Sequence, residues 1–229
     1  MNLYIVATPI GNLQDITLRA SEALLTANLI VTESTSKTGI LLEFLRKQFP
    51  NIKEADHKII SMTEDEEEIK IPQIIKILEE NDIVLTSEAG TPLVSDPGFK
   101  LVREAAKRGI NIISLPGPSA VIAALTSSGL PTDKFMFLGY IPKKPTKINE
   151  ILTTVRDLKS KIGISVIFFE SPHRLVEDLK IIEQQMGNID IVIARELTKV
   201  HEEVLRGKIG DIINGFESNQ PKGEFVLVI

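Results

Sequence analysis

Ile83-Val84-Leu85-Thr86-Ser87-Glu88-Ala89-Gly90-Thr91-Pro92-Leu93-Val94-Ser95-Asp96-Pro97-Gly98 passes from a short apolar run into a loop dense in glycine and proline. Ile83–Thr86 has the length and composition of a buried strand. Gly90 permits close backbone approach, and Pro92 fixes the turn while removing a hydrogen-bond donor. Asp96 followed by Pro97 reads as a helix N-cap with proline at the first helical position. The same unit recurs on both sides. Strand-like runs at Leu3–Ala7, Leu29–Thr32, Lys58–Met62 and Asn111–Leu115 alternate with helical patterns. In one of these Ile16, Ala20, Ala23, Leu24 and Ala27 share a face; in another Ile71, Ile74, Ile75 and Leu78 do. The acidic run Glu64–Glu68 sits where it favours the positive end of the helix that follows. This alternation predicts an α/β fold with a mostly parallel sheet and helices on its faces.

The pattern changes at Leu115-Pro116-Gly117-Pro118-Ser119, a stiff connection that neither a helix nor a central strand tolerates. Beyond it a helix over Pro118–Ser128, stopped by Gly129, leads to a strand at Lys134–Tyr140. A helix with Ile148, Ile151, Leu152, Val155 and Leu158 on one face follows. Strands at Ile164–Phe169 and Ile189–Arg195 flank a helix carrying Leu175, Leu179, Ile182 and Met186. Strands at Glu203–Arg206 and Phe225–Ile229 close the chain around a short helix. Two α/β domains are expected, over residues 1–116 and 117–229.

Composition narrows the function. The 229 residues are 43% hydrophobic and 25% charged, which is ordinary for a globular protein. No apolar run reaches the roughly 18 residues of a membrane span. The N-terminus lacks a basic segment and runs straight into a strand, so no signal peptide is expected and the chain is read as cytoplasmic. Absence of cysteine excludes disulfides, thiolate metal sites and a cysteine nucleophile. His57, His173 and His201 share no metal-ligand spacing, and no metal is expected. A net charge of −5 argues against broad nucleic-acid binding but not against a local basic patch. Such a patch is offered by Lys134, Lys143, Lys144, Lys147, Arg156, Lys159 and Lys161, opposed by Asp133, Glu150 and Asp157.

In open α/β sheets ligands bind at the carboxyl ends of strands. Three loops stand there: Thr8–Leu13, Glu33–Thr38 and Ser87–Gly98. A single Gly-Thr-Pro turn is usually a loop and nothing more; three such loops on one sheet edge favour a ligand. No G-x-G-x-x-G or P-loop signature is present, so dinucleotide and P-loop readings lose their main support.

Thr8-Pro9-Ile10-Gly11-Asn12-Leu13 with Asp15–Ala20, Ala89–Leu93 with Ser95–Gly98, and Leu115–Ala120 with Ser128–Pro131 form an ordered set of motifs. Phe169-Glu170-Ser171-Pro172-His173-Arg174, Ala194–Lys199, His201–Glu203 and Lys222–Val228 continue it. Together they resemble the ribosomal RNA small subunit methyltransferase I family, a branch of the tetrapyrrole methylase superfamily, along essentially the whole chain. The resemblance implies the two-domain fold of class III methyltransferases, with a mostly parallel N-terminal sheet and a mixed C-terminal sheet. It implies S-adenosylmethionine in a cleft between the domains, a homodimer, and 2′-O-methylation of a cytidine in 16S rRNA of the 30S subunit. Cofactor contacts carry over to Pro9, Gly90, Thr91 and Val94, to Ser119 and Ala120, and to Phe169, Ala194 and Glu224.

A ribose hydroxyl attacks well only if its proton leaves, which calls for a general base. Glu33 is the first candidate, with Glu170 and Glu196 as alternatives. Arg174 and Arg195 are candidates for holding RNA phosphates or a substrate carboxylate, and Lys143 and Lys144 for RNA contact, although charged residues at strand ends often form structural ion pairs. His173 equally caps its helix or faces solvent. Glu33-Ser34-Thr35-Ser36 replaces the family's Glu-Asp-Thr-Arg, Glu88 replaces an aspartate, and Thr63–Glu68 replaces a His-Asn-Glu-like segment. Many relatives also carry a helical extension beyond the position of Ile229. The residues therefore specify the cofactor more fully than the substrate. A tetrapyrrole-type small-molecule methyltransferase and a non-catalytic nucleotide- or RNA-binding relative stay open as alternatives.

Overall fold

Strand and helix alternate through the N-terminal half of the computed structural model in the order the hydrophobic pattern predicts. β1 (Asn2–Val6), α1 (Leu18–Thr26), β2 (Leu29–Thr32), α2 (Thr35–Gln48), β3 (Lys58–Ser61), α3 (Glu67–Leu78), β4 (Ile83–Thr86), α4 (Phe99–Lys107) and β5 (Asn111–Leu115) follow one another. The structure describes residues 1–217 and 221–229, which separate into two units, Met1–Ser119 and Ala120–Ile229.

In the first unit the strand order is β3-β2-β4-β1-β5, parallel throughout. Successive strand side chains point to opposite faces. Leu3, Ile5, Leu29, Val31, Ile83 and Leu85 pack with Ile74, Ile75 and Leu78 of α3 and Leu101 and Ala105 of α4. Val6, Ile30, Val84 and Leu115 pack on the other side with Ala20, Leu24 and Leu25 of α1 and Leu41, Leu42 and Leu45 of α2. Both faces are covered, which is why β2 and β4 are buried at every position and read as unbroken apolar runs. The chain thus leaves β1 toward the α1 layer and leaves its neighbour β4 toward the α4 layer. Connections that diverge in this way open the carboxyl edge of the sheet between the two strands.

Two helix starts differ from expectation: the helix expected from Pro118 begins at Ala120, and the start of α4 is capped differently. α4 opens at Phe99 with Gly98 as its N-cap, at φ +119°, so Asp96 is not the cap. No side-chain hydrogen bond caps α4. Glu67, buried at the start of α3, accepts the Gly98 N–H at 2.5 Å. A side chain at Gly98 would lie 2.8 Å from Leu93 and 2.9 Å from Leu85, so the turn admits only glycine. Upstream, the acidic run does favour its helix: Glu66 accepts the backbone N–H and the hydroxyl of Thr63.

The second unit comprises α5 (Ala120–Ser128), β6 (Phe135–Tyr140), α6 (Pro145–Ile162), β7 (Ser165–Glu170), α7 (Leu175–Met186), β8 (Asp190–Arg195), β9 (Glu203–Lys208), α8 (Ile209–Glu217) and β10 (Phe225–Val228). Its order is β6-β7-β10-β8-β9; β6 and β7 are parallel and the other pairs antiparallel, so the sheet is mixed. Phe168, Ile191, Ile193, Phe225 and Leu227 meet α6, α7 and α8 on one face. α5 packs over β10, β8 and β9, and Arg206 caps its end by donating to the carbonyls of Ser127 and Ser128.

Glu67→Leu strands the buried Gly98 N–H and is expected to lower stability by about 1–3 kcal/mol. Glu67→Gln keeps an acceptor oxygen and is expected to cost less. Urea denaturation of the two variants reads the difference.

Candidate active site at the carboxyl edge of the first sheet

Three of the segments leaving the carboxyl ends of the strands interlock. Thr8, just past β1, donates its N–H to the Gly90 carbonyl at 2.9 Å and accepts the Gly90 N–H at 3.0 Å. Gly90 has φ +83°, and a Cβ there would sit 3.3 Å from Ile10. Thr91 donates its hydroxyl to the Pro118 carbonyl at 3.0 Å, tying the turn to the segment after β5. A Cβ on Gly117 would come within 3.0 Å of the Ala7 Cβ, so that segment also lies tight against the end of β1. Pro9 is buried and Thr91 half-buried, while Val94 is 36% exposed. Leu93 and Ser95 hold φ of 73° and 68°. Left-handed conformations of residues with side chains are strained, and such strain clusters at ligand-binding turns.

Carboxyl groups gather beside this turn. Glu33 follows β2; Glu88 and Asp96 belong to the loop after β4. Burial pushes the Asp96 carboxyl up to about 6, and the negative charges of Glu33 and Glu88 push the same way against a hydrogen bond from Ser87. Burial, then the charge of Glu88, also raises Glu33, with the Glu88 backbone N–H acting in the opposite sense. Lys37 partners Glu88 at 3.1 Å. An edge with this excess of negative charge disfavours anions and favours a cationic group.

On the second sheet, Tyr140, Phe169, Val226, Ala194 and Val204 are paired in register across β6, β7, β10, β8 and β9, so Phe169 and Ala194 point to one face. Glu170, Arg195 and Glu224 share one edge of that sheet, Glu170 and Arg195 at strand ends and Glu224 before β10. Glu224 and Glu196 are joined by the Glu196 N–H to the Glu224 carbonyl, 3.0 Å, and the Glu224 N–H to Glu196 Oε1, 2.9 Å. Lys199 bridges both carboxylates at 3.0 and 3.1 Å. Ser119 ends the first unit and Ala120 opens α5, both half-buried.

Residues 2–213 match the family described as Tetrapyrrole (Corrin/Porphyrin) Methylases. The chain belongs to the tetrapyrrole methylases. A Hydrogenobaculum protein named Ribosomal RNA small subunit methyltransferase I is 43% identical to the methylase over 231 residues, taking in 100% of this chain and 95% of that protein. A Thermotoga maritima protein of the same name is 38% identical over 228 residues, 99% of this chain and 97% of that one. Two solved structures share the fold at 17% identity. A diphthine synthase has a TM-score of 0.74, with 100% of this chain and 89% of that one covered. The uroporphyrin-III-C-methyltransferase of Thermus thermophilus has a TM-score of 0.62, with 99% and 93% covered.

Within the methylase the base candidates separate. Glu170 is buried; it accepts the Ser171 N–H at 2.5 Å, and burial with Asp178 alongside pushes its carboxyl up to about 8. A carboxyl raised this far favours holding its own proton at neutral pH, so it is poorly suited to take one from a hydroxyl. Glu196 accepts the Glu224 N–H and pairs with Lys199, and its carboxyl lies below the usual range. That makes it a weak base. Arg174 is occupied internally, donating to the Ile141 carbonyl at 3.1 Å, the Pro142 carbonyl at 2.8 Å and Asp178 at 2.7 Å. Arg195 pairs with Glu203 at 3.2 Å. Lys143 and Lys144 are exposed, as are His173 and His201.

The Asp-Pro pair reads as a helix start, so the sequence does not single out Asp96 as a candidate site residue. The signal was present: an acid in a glycine- and proline-bearing loop after a strand, the criterion that selected Glu33. A carboxyl raised in the folded state favours folding fully below about 3.8, its ordinary value, and that contribution is lost as pH rises through about 6. Wild type is therefore expected to lose stability relative to Asp96→Asn between those values, read as the pH dependence of the urea midpoints of both proteins.

Proposed function

We propose that the methylase transfers a methyl group from S-adenosylmethionine to the ribose 2′-hydroxyl of a cytidine in 16S rRNA. Its substrate is the 30S subunit, its compartment the cytoplasm and its active form a homodimer. The observation that carries the reading is the rigid Gly90 turn set beside a carboxyl group held near neutral pKa. The names of its relatives supply the RNA target, and family membership the transfer of methyl groups.

The residues fit the cofactor. Gly90 has both backbone groups committed to Thr8, so Pro9, Thr91 and Val94 around it are the positions that meet a ligand. Glu33, Glu88 and Asp96 provide negative charge with Lys37 as the paired counter-charge, which suits a sulfonium and an ammonium on one molecule. Ser119, Ala120, Phe169, Ala194 and Glu224 complete the proposed contacts, the apolar Phe169 and small Ala194 admitting adenine. When bound, S-adenosylmethionine supplies an electrophilic methyl carbon, and the protein supplies alignment. Alignment of carbon and oxygen is worth roughly 7–11 kcal/mol at most.

Glu33 and Asp96 are the proposed acceptors of the hydroxyl proton. Each is raised from its ordinary value, Asp96 to about 6, which leaves it ionised at neutral pH yet a stronger proton acceptor than an ordinary carboxylate. Lys143 and Lys144 hold RNA phosphates. Arg174 and Arg195, occupied by internal partners, serve that role less well.

Incubation with radiolabelled methyl donor and 30S subunits lacking the modification is expected to place label in ribosomal RNA; donor bound without label in RNA would overturn the assignment. Gly90→Val, with a branched side chain at φ +83° against Ile10, is expected to weaken donor affinity at least tenfold by calorimetry. Undiminished affinity would remove the turn from the site. Glu33→Gln and Asp96→Asn each remove one of the charges that favour the donor and are expected to weaken its binding modestly, and the one that is the base to slow transfer at saturating donor by roughly a hundredfold or more. Full turnover in both would exclude the pair.

A further inference from the structure

β6 does not run as a regular strand. Its pairing with β7 shifts between Phe137 and Tyr140, and Gly139 takes φ +70°. In an unbroken strand residues three apart face opposite sides; the irregularity turns Tyr140 to the side of Phe137. Phe169 stands between them, edge-to-face with Phe137 at 4.8 Å and 62° and with Tyr140 at 5.5 Å and 66°. Edge-to-face contacts of this kind hold rings in place. Phe137 and Phe169 are half-buried, yet Tyr140 keeps 61% of its surface exposed. α5 packs over β10, β8 and β9, toward the other end of this face.

The chain leaving Tyr140 is pinned as well. Ile141 donates its N–H to the Phe169 carbonyl at 3.3 Å. Arg174, anchored on Asp178, holds the carbonyls of Ile141 and Pro142. Lys143, Lys144 and Lys147 follow, all exposed and without an ion pair among the described residues. A protein of net charge −5 thus places unneutralised cations three and four residues beyond a solvent-facing aromatic ring, on a loop pinned by Arg174. Single-stranded nucleic acid is recognised by this combination: an aromatic face for an unstacked base and cations for the flanking phosphates.

We propose that Tyr140 is the stacking surface for an unpaired base of the RNA substrate, with Lys143 and Lys144 engaging the neighbouring phosphates. This deepens the RNA reading above and rests on it for the identity of the occupant. Phe169 links the two roles, since it is proposed to face the donor and supports the Tyr140 ring. Arg174 is a positioning residue that fixes the lysine-bearing loop through its carbonyls.

The test uses the full chain and a short single-stranded RNA carrying 2-aminopurine, with no methyl donor present. Wild type is expected to quench the fluorophore by stacking. Tyr140→Ala is expected to lose the quenching and bind roughly tenfold more weakly, while Tyr140→Phe retains both. Lys143→Ala with Lys144→Ala is expected to keep the stacking signal and reduce the slope of log affinity against log salt by about 1.4. Calorimetry with S-adenosylmethionine is expected to give Tyr140→Ala the donor affinity of wild type. Full quenching by Tyr140→Ala would overturn the proposal, and so would a loss of donor affinity, which would assign the ring to the cofactor. Quenching by a wild-type protein that labels no ribosomal RNA supports the stacking surface while overturning the proposed reaction, so the two failures are distinguishable.

Discussion

Two backbone hydrogen bonds between Thr8 and Gly90 hold the carboxyl edge of the first sheet in one arrangement. β1 and β4 are neighbours whose chains depart to opposite faces, so their ends have no further strand to pair with. Without the Thr8–Gly90 pair, each of these buried backbone groups would lose a partner at about 1–3 kcal/mol. The pair demands a left-handed residue at position 90 and a close approach to Ile10, and glycine meets both demands. Once it forms, Thr91 reaches Pro118 and the segment after β5 is drawn against Ala7. A candidate site drawn from three separated segments is thus tied together from one short contact.

That rigidity holds charge where solvent would otherwise disperse it. Glu33, Glu88 and Asp96 repel one another, and Asp96 sits in surroundings that favour its neutral form. A fold selected for stability alone would place a cation or an apolar side chain there; Lys37 reaches Glu88. The remaining unfavourable charge is the kind of local cost that binding sites retain, because a cationic ligand relieves it on arrival. The Gly90 turn and the acid cluster are thus two parts of one arrangement: the turn excludes side chains, and the cluster supplies the field.

The sequence disclosed most of the elements and the loops after β1 and β4, but not the partners across space. Thr35–Thr38 of the second expected loop belong to α2. Strand runs at Leu29–Thr32 and Ile83–Thr86 were legible because burial on both faces leaves an unbroken apolar signature. The glycine turn was legible because glycine and proline constrain the backbone locally. Asp96 was misread because Asp-Pro also fits a helix start, and nothing local reveals that Glu67, in a preceding helix, takes the Gly98 N–H instead. Glu170 and Arg174 raised the same difficulty. Their types suit catalysis and phosphate binding, and only the packing shows one enclosed beside Asp178 and the other spent on two carbonyls. Local sequence carries backbone constraint well; it carries little about which charged groups meet.

The irregularity in β6 belongs to the same class of long-range consequence. Gly139 in Phe137-Leu138-Gly139-Tyr140 would suggest only a weakened strand, yet the register shift it accompanies decides which face receives the Tyr140 ring. Had the pairing continued unbroken, Tyr140 would share the face of Met136 and Leu138, which pack against the helix-covered core. There its bulk would overfill the layer formed by α6 and α7, and its hydroxyl would need a buried partner. The shift removes both costs and leaves an aromatic surface beside the lysine-bearing loop. Supported edge-to-face by Phe169 and 61% exposed, the ring lies on the face away from α6 and α7, where it is proposed to meet a base that has left its own stack.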